Sequence, residues 1–316
     1  MTCAQAGNLG ASQIILVNRA SERAVKAVAD VKAAVPASCA VVAVDCDLTS
    51  LESVRAAAAK LGEACGGKLD VLMCNAGIMA SPDAVSVDGY NCEVQVNVLS
   101  QMLLVKLAMP LLEAAAEVSG EARVVTQSSG ARLGPKDGIK EVIFDKVGAD
   151  GLPEPFKGDT GGGMFAMSPA WHRYGQTKLA SSLCAMILHE KLQAKGSKVK
   201  AISVAPGLAA SDLQSTTNAT GNMKAWETNL IFALAGQSAN DGALPMTEAC
   251  LMPGVESGSF YEPLRAMGMF GPPKCIAAGG TFLPAYAKQE SGTIADQQTK
   301  AAFWAMVEKA CGGPIV

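Results

Sequence analysis

Charge and aromatic rings are scarce in this chain. Asp, Glu, Lys and Arg make up 17% of its 316 residues, and Phe, Trp and Tyr 5%. The signs nearly cancel, to a net charge of −3, and are scattered. No basic face is offered to a phosphate backbone, which argues against a nucleic-acid partner. His172 and His189 are the only histidines, little material for a metal centre. The ten cysteines include no CxxC pair, which speaks against a disulfide framework or a zinc ribbon. Cys46, Cys74 and Cys184 lie in apolar segments, where a free thiol behaves as a small core residue. Such cysteine usage suits a reduced intracellular protein, cytoplasmic or organellar. An unbroken membrane-length run is also missing. The longest apolar stretch, 96–112, is interrupted by Asn97, Gln101, Lys106 and Pro110 and is shorter than a bilayer requires. It reads as a buried helix.

What is present is an ordinary globular balance, with 49% hydrophobic residues and no composition break. One domain spanning 1–316 is expected. Strand and helix signals alternate: strands over 14–18, 39–46, 69–74, 123–127, 199–204 and 258–261, and helices over 21–35, 49–61, 91–118, 174–194, 237–251 and 294–311. Ser21 and either Thr49 or Ser50 are plausible caps. The strand interiors are nearly all apolar, as parallel strands buried on both faces should be. The order predicts a Rossmann-like, doubly wound parallel α/β sheet with helices on both faces. A C-terminal extension of about 262–316 follows the last expected strand. Residues 130–170, rich in glycine and proline, read as a long surface loop or a lid.

Tyr174 and Lys178 stand four residues apart at the start of an apolar helical pattern, so they share one helix face. A phenol with its ordinary pKa near ~10 is a poor proton donor at neutral pH. An ammonium one turn away favours the phenolate and brings that pKa toward working range. Five further segments stand in fixed order around this pair. They are Asp45-Cys46-Asp47-Leu48, Asn75-Ala76-Gly77, Asn97 within its apolar helix, the strand ending Gln127-Ser128-Ser129, and Pro206-Gly207.

Together these segments resemble the short-chain dehydrogenase/reductase family over nearly the whole chain. Arg19 after the strand over 14–18, which stands as the second strand of relatives, the wide separation of Ser129 from Tyr174, and the C-terminal extension make the chain similar to one branch. That branch contains retinol dehydrogenases, WW-domain oxidoreductases and protochlorophyllide reductase. The resemblance implies an NADP-dependent oxidoreductase that interconverts a carbonyl and an alcohol by hydride transfer. Tyr174 would be the general acid or base, and Lys178 would tune it and hold the nicotinamide ribose. Ser129, with Ser128 as the alternative, would hold the substrate oxygen, and Asn97 a relay water. Asp47 and Leu48 would receive the adenine, and Asn75, Ala76 and Gly77 the adenosine ribose. Pro206 and Gly207 would face the nicotinamide, followed by Ser211. Arg19 suits the 2′-phosphate of NADP, so NADP is expected over NAD. Met223, Trp226, Leu230, Ile231 and Phe232 make 213–236 an apolar cover, consistent with a lipophilic carbonyl or alcohol substrate.

Two features of the resemblance cut the other way. Gly10-Ala11-Ser12 stands where relatives end their first helix. The first strand and the glycine-rich pyrophosphate turn are therefore expected to be missing, as in an N-terminally truncated member. An inactive truncated form or pseudoenzyme is the alternative reading, with weak cofactor binding. A protochlorophyllide reductase-like double-bond reductase is a further one, although Ser129 argues against it. Homo-oligomerisation and membrane association are left open.

Overall fold

The computed structural model describes residues 1–159, 168–210, 226, 236–266 and 268–316. The chain opens with helix α1 (Thr2–Asn8), then β1 (Gln13–Asn18), α2 (Glu22–Ala34), β2 (Ala40–Asp45), α3 (Leu51–Ala64) and β3 (Val71–Cys74). The long helix α4 (Cys92–Ser119) leads into β4 (Ala122–Gln127), and α5 (Pro169–Ala194) into β5 (Val199–Val204). The main C-terminal elements are α6 (Leu244–Leu251), β6 (Phe260–Arg265), β7 (Phe270–Ala278), β8 (Thr281–Phe282) and α7 (Gln297–Ala310). Ser21 caps α2 by accepting from the Ala24 amide at 3.1 Å. Ser50, rather than Thr49, caps α3 by accepting from the Ser53 amide at 3.2 Å. The helix expected over 237–251 is divided into the single turn Ala239–Gly242 and α6.

The expected parallel α/β class is present, but its sheet is not one continuous ladder. β1 and β2 pair in parallel as a two-stranded unit, while β3, β4, β5 and β6 form a second parallel ladder. No strand among the described residues links β1 to β3. The terminal helix α1 instead docks on α6, with Thr2 Oγ1 3.1 Å from Thr247 Oγ1 and the Thr247 hydroxyl donating to Gln5 Oε1 at 2.8 Å.

A second difference lies at the other edge. The last strand was expected to end at Tyr261, yet β6 runs to Arg265 and is followed by two antiparallel strands, β7 and β8. Pro272 and Pro273 hide this in the sequence, because proline cannot donate to a ladder. Here β8 pairs only with Ala277 and Ala278, so the proline segment has no ladder partner on that side. On the β6 side Pro273 stands opposite Pro263, and the ladder register shifts between Pro263 and Arg265.

α4 is the spine of the core, with Val94, Leu99, Leu103, Val105 and Leu112 buried against α3, β4 and α5. By length and composition this helix could cross a membrane, but 67% of its apolar window is buried inside the protein. That matches a buried core helix. Val124 and Val125 of β4 are fully buried, as befits a central strand covered on both faces. α2 buries no residue completely, so the β1–β2 unit is covered far more thinly than β4 and β5.

This asymmetry predicts two levels of local stability. Amides of β4 and β5 should exchange with solvent most slowly, and those of β1 and β2 at least about tenfold faster, since an isolated two-stranded unit is marginal. Hydrogen exchange read by mass spectrometry tests this. Equal protection in both ladders would mean that the two unfold as one.

Candidate active site

The carboxyl ends of β3, β4 and β5 converge on the N-terminal half of α5. Pro169 opens that helix, where a missing amide proton costs nothing. Its burial on nearly all sides explains why it shows almost no amphipathic pattern. Tyr174 is 5% exposed and packs edge-on against Trp171, ring centres 5.7 Å apart. Lys178, equally buried, places Nζ 5.6 Å from the Tyr174 ring centre and donates to the Gln127 carbonyl at 3.1 Å.

The two serines at the end of β4 have different jobs. Ser128 is buried, donating its hydroxyl to the Lys178 carbonyl at 2.8 Å and accepting from Ser182 at 2.8 Å. It packs the helix onto the strand. Ser129 is half-buried, caps the 3₁₀ turn Gly130–Leu133 by accepting from the Ala131 amide at 3.2 Å, and its side chain lies near enough to Tyr174 to favour the phenolate. Of the pair, Ser129 is therefore the one that meets the phenol.

Asn97 sits in a π-helical turn, Gln95–Leu99, inside α4. Its Oδ1 accepts from the Ile78 amide at 2.8 Å, and its Nδ2 donates to the Ile78 carbonyl at 2.9 Å and to Thr177 Oγ1 at 3.0 Å. One side chain thereby ties α4, the loop after β3 and α5 together. Gly77 shows how close this approach is. A Cβ there would lie 3.0 Å from Asn97 Oδ1 and 3.4 Å from Lys178 Nζ. Asn75 and Ala76 are exposed beside it, with the Ala76 carbonyl held by Gln101 Nε2.

Asp47 and Leu48 follow β2. Asp47 is partly buried, which opposes ionisation, but two hydrogen bonds from Thr49 (2.9 and 2.8 Å) and the charge of Arg19 hold its carboxyl below the usual range. Arg19 itself is exposed at the end of β1. The Leu48 side chain packs on the core while its carbonyl accepts from Ser100 at 2.6 Å. Pro206 and Gly207 follow β5. Gly207 adopts φ +72°, and a Cβ there would come 2.4 Å from the Met269 carbonyl. Only glycine fits that position. Ser211 lies outside the described residues, as does the expected cover 213–236 apart from Trp226, which is exposed, and residue 236.

The stretch 130–159 is not a free surface loop. Ile143, Phe144, Leu152 and Phe156 are buried, and α5 grips the segment from below. The Arg173 guanidinium donates to the carbonyls of Phe156 (2.6 Å), Gly158 (2.8 Å) and Ser81 (2.8 Å), and Gln176 exchanges hydrogen bonds with Gly138 and Lys140. A lid role for residues 160–167 lies outside the described residues.

The electrostatics differ from the sequence expectation. Burial pushes the Tyr174 phenol up, opposed by the nearby Ser129 side chain and reinforced by charge on Glu93. Burial also pulls Lys178 down to about 8, with Glu93 working against it. Desolvation therefore outweighs the ion–phenol coupling that the spacing alone suggested. Glu93 was not legible as a site residue. It precedes Asn97 by one helical turn, is completely buried, and lies 3.9 Å from Arg173 Nε. Its only sequence signal is a charge among apolar neighbours at helical spacing from Asn97.

The residues present fit the two ends of a dinucleotide. Open backbone at Gly77 beside the buried Lys178 ammonium, and the Asp47 carboxylate with Arg19 nearby at the ends of β2 and β1, are polar groups of the kind an NAD(P) dinucleotide engages. Among the described residues no glycine-rich turn accompanies them for the pyrophosphate.

A parallel α/β sheet with a buried Tyr–Lys pair, a serine and an asparagine at its carboxyl end defines a Rossmann-type dehydrogenase architecture. Residues 1–140 match the family model for short chain dehydrogenase. A short-chain dehydrogenase/reductase of Penicillium roqueforti, prx1, is 31% identical over 206 residues, covering 65% of this chain and 53% of that protein. The polyprenol dehydrogenase of Mus musculus is 28% identical over 260 residues, covering 82% of this chain and 64% of that protein. The chain thus spans about half the length of the first of these and under two thirds of the second. In three dimensions it resembles the crystal structure of an uncharacterised Mycobacterium paratuberculosis protein, with TM-score 0.61 and 24% identity over 100% of this chain and 89% of that one. In sequence the chain is similar to the short-chain dehydrogenase/reductase family, over residues 1–140 by the family model and over 65% of its length by prx1.

Glu93 makes a pH prediction. Burial pushes its carboxyl from the ordinary 4.5 up to about 8, against the pull of Arg173 and Lys178. Between those values the folded state holds a proton that the unfolded state has released. The stabilisation is therefore full below 4.5 and is lost as pH rises through about 8. Glu93→Gln, locked neutral, should gain stability relative to the parent across that window, measured by urea unfolding at both ends. A difference that does not change with pH would show Glu93 to be ionised throughout.

Proposed function

We propose that the chain is an NADP-dependent oxidoreductase that interconverts a carbonyl and an alcohol on a lipophilic small molecule, with Tyr174 as general acid or base. The observation that supports this reading is the meeting of Tyr174, Lys178, Ser129 and Asn97, brought from three elements, with the Lys178 ammonium 5.6 Å from the Tyr174 ring centre and the Ser129 side chain beside the phenol. NADPH, when bound, supplies the reducing equivalent. Ser129 holds the substrate oxygen and orients it toward the phenol, a bond that strengthens as negative charge grows there. Tyr174 delivers its proton to that oxygen. The buried Lys178, already pulled down to about 8, passes protons at neutral pH more readily than an exposed lysine would. It also reaches the ribose edge past Gly77. Asn97 keeps this geometry and, through a water, links Lys178 to the interior.

Arg19 supports NADP over NAD. Its exposed guanidinium can donate in bidentate fashion to a 2′-phosphate, whereas a ribose hydroxyl gives it nothing to neutralise. Similarity to a polyprenol dehydrogenase supports a lipophilic alcohol or its carbonyl counterpart as substrate. A second reading, a fold kept without cofactor chemistry, is favoured by the unlinked ladders of β1 and β3 and the missing glycine-rich turn among the described residues.

Two measurements test the reading. Tyr174→Phe should lower carbonyl reduction by about 10²–10⁴ while leaving NADPH binding largely intact, because only the hydroxyl is lost. Turnover within a fewfold of the parent would remove Tyr174 from the chemistry. Arg19→Ala should weaken NADPH binding by about 1.5–3 kcal/mol and spare NADH, judged by calorimetry. Equal losses would make Arg19 structural, and an absence of binding by either cofactor would favour the second reading.

A further inference from the structure

The Ser129 turn is anchored from an unexpected direction. Arg132, three residues after Ser129, carries a fully buried guanidinium whose side chain is 1% exposed. Its Nη1 donates to the Ser129 carbonyl at 3.1 Å, and the Arg132 amide donates to the same carbonyl at 3.1 Å. Its Nε lies 3.1 Å from both carboxylate oxygens of Glu290, and its Nη2 donates to Glu290 Oε1 and to Glu262 Oε2, each at 2.6 Å. The guanidinium also lies over the face of Phe260, 4.4 Å from the ring centre. Glu262 and Phe260 belong to β6, and Glu290 lies between β8 and α7, where Thr293 bonds its carboxylate at 3.2 Å.

The same C-terminal hairpin reaches the opposite wall of the site. Gly268, in the β6–β7 turn, leaves room for Glu262, since a Cβ there would lie 2.7 Å from its carboxyl group. One residue later the Met269 carbonyl accepts from the Leu208 amide at 2.8 Å and lies against Gly207. Gln237 closes the contact by donating to the Pro206 carbonyl at 2.6 Å and accepting from the Gly271 amide at 3.2 Å.

One cation facing two buried carboxylates is a poor device for stability, because desolvating three charges offsets most of their attraction. It is a good device for geometry. The planar fork fixes directions, and two of its arms are spoken for by residues far along the chain.

We infer that Arg132 is a positioning residue for Ser129, and that the β6–β7 hairpin with Glu290 braces the Ser129 turn and the Pro206–Gly207 loop against each other. This rests on the proposed oxidoreductase reading for its kinetic consequence, but not for its mechanical one. The Ser129 carbonyl is thus held twice, by the Arg132 amide and by its guanidinium, while the hydroxyl caps the turn from the other side.

The test uses the whole chain with Glu290→Gln, Glu290→Asp and Arg132→Lys, and Lys309→Ala as a surface control in the same C-terminal region. Hydrogen exchange is followed over 129–133 and over α5, and reduction of phenanthrenequinone by NADPH is measured. Glu290→Gln should speed exchange over 129–133 by about tenfold or more while α5 is unchanged, because one hold is lost and the core is not. It should also lower kcat by about tenfold or more with NADPH affinity within about twofold, the mark of an interaction that matters in the transition state. Glu290→Asp should recover part of both effects, and Lys309→Ala should show neither. Uniform acceleration of exchange, or fast exchange over 129–133 with kcat unchanged, would overturn the proposal. If the parent reduces the quinone no better than Tyr174→Phe, the oxidoreductase reading fails, and exchange over 129–133 alone still decides the brace. Should Arg132→Lys fail to fold, the two Glu290 variants carry the test.

Discussion

The side chain of Asn97 is the joint on which the site depends. Its amide makes three hydrogen bonds, to both backbone groups of Ile78 and to Thr177, and so pins α4, the loop after β3 and α5 at one point. The π-helical turn around it is the consequence. Rotating an asparagine inward from a long apolar helix needs an extra residue in the turn, and such turns recur where function demands a misplaced side chain. Gly77 then follows as a steric requirement, since the space where its Cβ would sit is bounded by Asn97 Oδ1 and Lys178 Nζ.

Around that joint the site is unusually dry. Tyr174, Lys178, Arg173 and Glu93 are all buried, so each charged form must be supported by another. The pattern that results is a neutralising one, with the phenol pushed up, the lysine pulled down and the carboxyl pushed up. Groups held near neutrality can exchange protons at small cost, which a surface Tyr–Lys pair could not do. Arg173 shows the opposite use of burial. Its Nη1 and Nη2 donate to the carbonyls of Phe156, Gly158 and Ser81, which fastens the end of the stretch 130–159 and the loop after β3 to α5.

Much of this was legible in the sequence because it is local. The spacing of Tyr174 and Lys178 places them on one helix face wherever the helix goes. The apolar strands announced a buried parallel ladder, and the order of motifs carried the family resemblance. What stayed hidden depends on contacts between distant segments. The resemblance favoured Ser129 over Ser128, but no local pattern separates two adjacent serines, and packing is what sends Ser128 against the Lys178 carbonyl of α5. β7 was concealed by Pro272 and Pro273, whose missing donors matter only if a neighbour needs them.

The sequence by itself determined the element order, the parallel class, the Tyr174–Lys178 pairing and the set of polar residues at strand ends. These follow from periodicity and from residue chemistry within a few positions. Tertiary structure decided the protonation balance of the pair, the role of Glu93, the division of the sheet into two ladders and the bond from Arg132 to Glu262 and Glu290. Burial and long-range hydrogen bonds set those, and neither is a property of any stretch of sequence alone. The guanidinium of Arg132 makes the point most simply: its partners lie 130 and 158 residues away, and only the folded chain brings them within 2.6 Å.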